Sequence, residues 1–235
     1  VVGANGDVVR CVGTLQDVTE ERAARDRLMH DAVHDSLSGL PNKELFLDRL
    51  ERALVRSREE KENKPAVFLV DLDGFSNLDE RIGHVAADSV LLAISRRLAR
   101  LMRPLDTLAR INGDQFAVIL VSEQSATKIA GFAEQMRKSI REPIKFGETE
   151  LSISASIGVT IYDNKPNAAS TILRNAELAM MYAKRMGGDR IEAYRANSTE
   201  LGVSHSTLNA DLEKAIDQRQ LQMHFQPIYD LPGDK

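Results

Sequence analysis

Hydrophobic and polar residues divide the 235-residue chain into segments with recognisable periods. Leu151 to Ile161 alternates strictly. Leu151, Ile153, Ala155, Ile157, Val159 and Ile161 face one way, and Ser152, Ser154, Ser156, Gly158 and Thr160 the other, the pattern of a half-buried strand. Ala66-Val67-Phe68-Leu69-Val70 is a continuous apolar run, as expected of a strand covered on both faces. Apolar residues three and four apart predict helices. One carries Phe46, Leu50 and Leu54 behind an Asn42 cap, and a second, from about Asn77 to Met102, carries Val90, Leu91, Ile94, Leu98 and Leu101. A third carries Ile129, Phe132, Met136 and Ile140 and closes at Pro143; a fourth follows Ser170, runs through Met186 and stops at Gly187-Gly188. Thr107-Leu108-Ala109 and Phe116 to Leu120 flank Asn112-Gly113, read as a hairpin with a two-residue type I′ turn. Ile191 to Tyr194 gives a last short strand. This order implies an α/β sandwich with helices packed on a sheet that contains an antiparallel hairpin.

The two ends belong to other units. Residues 1–17 hold the turn signal Ala4-Asn5-Gly6-Asp7 and an apolar strand from Val8 to Leu15, and Asp17-Val18-Thr19 leads into a polar helix over residues 18–34. On that helix Ala24, Leu28 and Ala32 form a thin stripe that suits pairing with a second copy of the chain. Residues 196–209 are polar and read as a linker; over 210–235 a helix with Leu212, Ala215 and Ile216 precedes an alternating strand from Leu221 to Tyr229. With no Met at the start and a pattern interrupted at Lys235, the sequence reads as an excised fragment.

Composition narrows the function classes. A net charge of −4 with pI near 5.8 argues against a nucleic-acid-binding surface. The single Cys11 leaves no internal disulfide and no multi-cysteine metal site, which fits a reducing, cytoplasmic setting. No apolar run reaches the roughly 18 residues of a membrane span.

Two segments carry candidate chemistry. Asp71-Leu72-Asp73 ends the buried strand, a placement that presents acids to a hard cation. Asp114 and Gln115 sit at the hairpin tip. With Asp35-Ser36-Leu37-Ser38-Gly39-Leu40-Pro41-Asn42, Asp71-Leu72-Asp73-Gly74-Phe75, Gly83-His84, Asp88, Ser156-Ile157-Gly158-Val159 and Tyr182-Ala183-Lys184, residues 35–195 resemble the GGDEF domain of diguanylate cyclases. The first 17 residues resemble the last hairpin of a PAS sensor domain, and 210–235 the opening of an EAL cyclic di-GMP phosphodiesterase domain. The GGDEF resemblance implies a central, mostly antiparallel sheet flanked by helices, of the nucleotidyl cyclase or palm type. It also implies two facing domains, each holding GTP with Mg²⁺ or Mn²⁺. Asp71, the backbone carbonyl of Leu72 and Asp114 would then hold metal. Asp79 and Asp88 would read guanine, Asn112, Gly113 and Lys184 would lie along the phosphates, and Arg103 with Asp106 would form an inhibitory site for cyclic di-GMP.

Five positions depart from that pattern. Asn112 replaces a glycine, Gln115 the usual glutamate, Asp79 an asparagine, Ser76 a lysine and Gly188 an arginine. An amide at 115 cannot serve as a base, and the losses at 76 and 188 remove positive charge opposite a triphosphate. The expectation is a degenerate domain that binds GTP with Mg²⁺ and regulates a downstream EAL phosphodiesterase without efficient turnover, dimerising through the linker helix. An active but weak cyclase and a ligand-free dimerisation scaffold remain open beside it.

Overall fold

A computed structural model describes residues 16–60, 64–123, 125–146, 149–163 and 167–195. Its strands are β1 (Ala66–Leu72), β2 (Thr107–Asn112), β3 (Gln115–Leu120), β4 (Ile144–Phe146), β5 (Thr149–Leu151), β6 (Ala155–Ile161) and β7 (Ile191–Ala193). Its helices are α1 (Thr19–Val33), α2 (Lys43–Glu60), α3 (Phe75–Ile82), α4 (His84–Ala99), α5 (Ala126–Arg141) and α6 (Ala169–Arg185). Five strands form one sheet in the order β2-β3-β1-β6-β7, antiparallel except where β7 runs parallel to β6. The expected mostly antiparallel sheet flanked by helices is therefore what the chain forms.

β1 occupies the middle because it is apolar on both faces. Phe68, Val70 and Leu72 pack with Val90 and Ile94 of α4 and Phe132 and Met136 of α5. Val67 and Leu69 point the other way, toward Phe46 and Leu50 of α2 and Ile172 and Ala176 of α6. Each fully buried Leu, Ile or Phe contributes about 1.5–3 kcal/mol, and this burial fixes helices whose own propensity is marginal in water. The helical spacings and the Asn42 cap hold, with Asn42 Oδ1 accepting from the amides of Glu44 and Leu45 at 3.0 and 3.1 Å.

Several boundaries differ from the sequence expectation for local physical reasons. The helix expected over 77–102 is two helices, broken at Gly83, whose φ of 81° no other residue type adopts easily. The fourth helix starts at Ala169, so Ser170 lies inside its first turn. The alternating stretch from Leu151 is also divided. Leu151 pairs with Ile144 in a separate β4–β5 hairpin, and β6 begins only at Ala155.

β6 is buried on both faces through Thr160, not on one. Its row of Ser156, Gly158 and Thr160 is covered by α6. A Cβ on Gly158 would stand 2.0 Å from the Ala176 carbonyl oxygen and 2.3 Å from the Met180 nitrogen, so the helix lies directly on the strand backbone there. The type I′ turn at Asn112-Gly113 is likewise corrected. Asn112 pairs with Gln115, which leaves Gly113 and Asp114 as the connection, with φ of 23° at Gly113 and no positive φ at Asn112. A register shift between Arg110 and Asn112 moves the turn by one residue. The PAS-like strand, the 196–209 linker and the EAL-like segment lie outside the described residues.

Candidate functional site

Asp71 is the buried acid at the carboxyl end of β1, 3% exposed, with Gln115 of β3 directly opposite in the ladder. Being on the α6 side of the sheet, its carboxylate meets groups from two distant parts of the chain. Gln115 Nε2 donates to Asp71 Oδ2 at 2.8 Å. Lys184, in the last turn of α6, places its ammonium against Asp71 Oδ1. That oxygen is buried, and the Lys184 ammonium is its charge partner.

Asp114 joins from the turn, where its carbonyl accepts from the Leu72 amide at 3.3 Å and ties the hairpin tip to the end of β1. Burial raises the Asp114 pKa, and the neighbouring Asp71 charge raises it further, against the opposing pull of Lys184 and Arg110. Asp71 and Asp114 thus lie close together, with Lys184 and Arg110 as the cations that act on them. Among the described residues no three His, Cys, Asp or Glu side chains gather as a metal cage. Two carboxylates with a backbone carbonyl are nonetheless the hard-oxygen set Mg²⁺ uses when waters and phosphates complete its shell. Two neighbouring acids, one of them with its pKa raised by burial and by the charge of the other, fit such an ion.

The hairpin tip is tied to the segment leaving α1. Arg110 Nε donates to the Gly113 carbonyl at 2.8 Å, and its Nη1 pairs with Asp35 at 2.9 Å. Asp35 also accepts from the Ser38 amide and hydroxyl at 2.8 and 2.6 Å, and the Arg110 amide donates to the Pro41 carbonyl. Burial pushes the Asp35 carboxyl up, but the Ser38 and Arg110 bonds outweigh it and hold it below its ordinary value. Sequence reasoning assigned no role to Arg110. Its one signal was an unpaired charge within a strand that otherwise reads as apolar.

Asp79 and Asp88 stand on α3 and α4, and among the described residues no hydrogen bond or ion pair joins them to Asp71, Asp114 or Lys184. Both oxygens of Asp79 face His84 Nδ1, at 2.8 and 3.0 Å, while Asp88 is exposed. Asn112 and Gly113 are exposed beside the turn. Asp73, read at first as a further acid beside the metal ligands, is committed elsewhere. It accepts from Ser154 and Ser156 hydroxyls at 2.8 and 2.7 Å and from the Asp189 amide at 2.9 Å. A side chain on Gly188 would press on that carboxylate, at 3.1 Å from Cβ to Oδ2. Asp189, at φ 47°, is gripped in turn by Arg137 and Arg141 of α5 at 2.7 and 2.8 Å.

Arg103 and Asp106 lie apart from this pocket, on the tight connection into β2. Asp106 accepts from the amides of Val121 and Ser122 and from the Ser122 hydroxyl, and so caps the exit of β3. Arg103 pairs with Glu123 at 2.7 Å. Both line a cavity of about 220 Å³ between this connection and α5.

Residues 32–190 match the family described as diguanylate cyclase, GGDEF domain. The bifunctional diguanylate cyclase/cyclic di-GMP phosphodiesterase MucR of Pseudomonas aeruginosa is 34% identical over 206 residues, covering 88% of this chain and 30% of MucR. The cyclic di-GMP phosphodiesterase PdeR of Escherichia coli K12 is 30% identical over 225 residues, covering 96% of this chain and 33% of PdeR. The chain thus spans about a third of the length of these curated relatives. A solved structure comprising only the GGDEF domain of TpbB (YfiN) from Pseudomonas aeruginosa superposes with a TM-score of 0.68 at 33% identity, covering 72% of this chain and 98% of that one.

Proposed function

The chain belongs to the GGDEF family of diguanylate cyclase domains, and on that premise we propose that residues 35–195 bind GTP with Mg²⁺ and regulate a downstream EAL phosphodiesterase without efficient cyclase turnover. The observation that carries this reading is the Asp71 constellation, in which both metal-competent acids and Lys184 converge while a neutral amide faces the same carboxylate. Asp71, Asp114 and the Leu72 carbonyl would hold Mg²⁺ or Mn²⁺, which when bound neutralises triphosphate charge and polarises the phosphorus.

Around it each side chain has a task. Lys184 reaches phosphate from the end of α6. Asp88 reads guanine, and Asp79, its carboxylate turned by His84, accepts from the base edge. Asn112 and Gly113 border the phosphates with more bulk at 112 than a glycine leaves. Gln115 stands where a proton acceptor is needed and can take no proton, a deficit of about 10²- to 10⁴-fold in rate. Arg103 and Asp106 receive cyclic di-GMP. Homodimerisation through α1 is supported by its exposed Leu28 and Met29, at 71% and 58%. No helix of the described residues is long and apolar enough to cross a membrane, and dependence on GTP assigns the domain to the cytoplasm.

One observation favours the ligand-free scaffold instead: Gln115 and Lys184 already face the two Asp71 oxygens. Titration with GTP and Mg²⁺, beside chromatography of products from the protein and from Gln115→Glu, separates the readings. Expected are GTP binding that Asp71→Ala abolishes, no cyclic di-GMP from the unmodified chain, and some from Gln115→Glu. Cyclic di-GMP from the unmodified chain would make it a working cyclase. GTP affinity unchanged in Asp71→Ala would refute the metal site.

A further inference from the structure

The cavity beside α5 contains its own anion. Glu123 lies between two cations, with Oε1 2.7 Å from Arg103 Nη1 and Oε2 3.3 Å from Lys128 Nζ. Its side chain is only 14% exposed, whereas those of Arg103 and Lys128 are 58% and 68% exposed. The acid is the inner member of the trio, and the cations close over it from the solvent side. Both pairings hold the Glu123 carboxyl below its ordinary value, so it is charged at neutral pH.

The other acid of the cavity is already spent. Asp106 is committed to the Val121 and Ser122 amides and the Ser122 hydroxyl. Arg103 and Lys128 are therefore the available cations here, and Glu123 occupies both. The buried face of Phe132 forms an apolar wall beside them, suited to a planar group attached to an anion. With Glu123 in place the two cations are already offset by a carboxylate, so an incoming phosphate meets a weakened attraction and competes with that carboxylate for charge-assisted bonds.

We propose that Glu123 is an internal competitor for the anion site at Arg103 and Lys128, setting the affinity of a cyclic dinucleotide phosphodiester by occupying its place when the ligand is absent. This rests on the reading of Arg103 and Asp106 as the product site. It adds Lys128 as a ligand-facing cation and Glu123 as the residue that must swing out before phosphate binds.

The test is calorimetric titration of cyclic di-GMP into the full chain and into Glu123→Gln, Arg103→Ala and Glu177→Gln. Glu177→Gln makes the same change in net charge on the exposed face of α6, which packs on the opposite side of the sheet. Thermal melts establish that each variant folds. Releasing two largely exposed ion pairs corresponds to about fivefold tighter binding by Glu123→Gln. Expected with it are no change in Glu177→Gln and loss of binding in Arg103→Ala. Equal affinity of Glu123→Gln and the unmodified chain, with Arg103→Ala still inactive, would overturn the competitor role and leave the product site standing. Equal tightening in Glu177→Gln would reduce the effect to net charge and overturn it too. Absence of binding by the unmodified chain and by Glu123→Gln would overturn the product site itself.

Discussion

Gly158→Ala is the most demanding test of how α6 is seated. The added methyl would lie 2.0 Å from the Ala176 carbonyl oxygen, 2.3 Å from the Met180 nitrogen and 2.9 Å from its Cα. Ordinary contact for such atoms is about 3.5 Å, so the backbones must separate by about 1.5 Å. All three obstacles are main-chain atoms of one helix, and no side-chain rotation can relieve them. Overpacking of this kind costs about 1–3 kcal/mol where side chains can yield, and a backbone clash belongs at or above the upper end. A loss of about 3 kcal/mol corresponds to roughly 6–12 °C in Tm for a domain of this size. The same displacement carries Lys184 away from Asp71, so GTP affinity should fall together with stability. Gly131→Ala on α5 is the internal control, because its Cβ would meet nothing within 4 Å. A helix-interior alanine there should leave Tm unchanged or raise it slightly. Melting curves for the two variants decide the matter. If Gly158→Ala melts within a degree of the unmodified protein, α6 does not rest on β6 as described.

Two titrating groups give further tests, with opposite signs. Asp114 has a raised pKa, so its ionised form destabilises the fold above the carboxylate range and the cost disappears at lower pH where the group is protonated. Asp114→Asn should therefore raise stability at pH 7, by less than about 1 kcal/mol after solvent screening, and should remove the melting shift produced by GTP with Mg²⁺. Denaturant titration over the acid range checks the first part; an unaltered shift with nucleotide would contradict the second. Asp35 has a lowered pKa, so its contribution is present above the ordinary carboxylate range and lost as pH falls through the depressed value. Asp35→Asn should cost about 1 kcal/mol at pH 7, with the difference shrinking on acidification, and a pH-independent difference would point to packing instead of charge.

Apolar periodicity made β1, α2, α5 and the pairing of β2 with β3 legible, because burial on a fixed face constrains residue type at every second or fourth position. The same logic failed at β6. Ser156, Gly158 and Thr160 read as a solvent face, since small polar residues serve equally under water or beneath a closely packed helix. Nothing local separates the two. Gly83 looked like a tolerated helix interior until its left-handed φ broke α3 from α4. At the site, Asp71, Asp114 and Lys184 were legible through a resemblance and do meet. Asp73 was not, because an acid's role depends on which hydroxyls and amides reach it from far along the chain. Arg110 and Glu123 escaped notice for the same reason, since each acts through a partner that sequence adjacency does not reveal.

Asp73 also bears on the order in which the molecule can be made. Its partners Ser154, Ser156 and Asp189 lie 81, 83 and 116 residues downstream, and those last bonds hold β6 and the turn after α6 against the end of β1. Synthesis runs from the amino end, so β1 leaves the ribosome long before any of them exists. Until β3 and then β6 emerge, the strand that will present the acids is an unpaired apolar ribbon, exposed to other nascent chains and to chaperones. Contacts this distant in sequence form slowly because they close large loops. The Asp73 bonds therefore close late: Asp73 is made well before its partners and is among the last side chains of the domain to be satisfied.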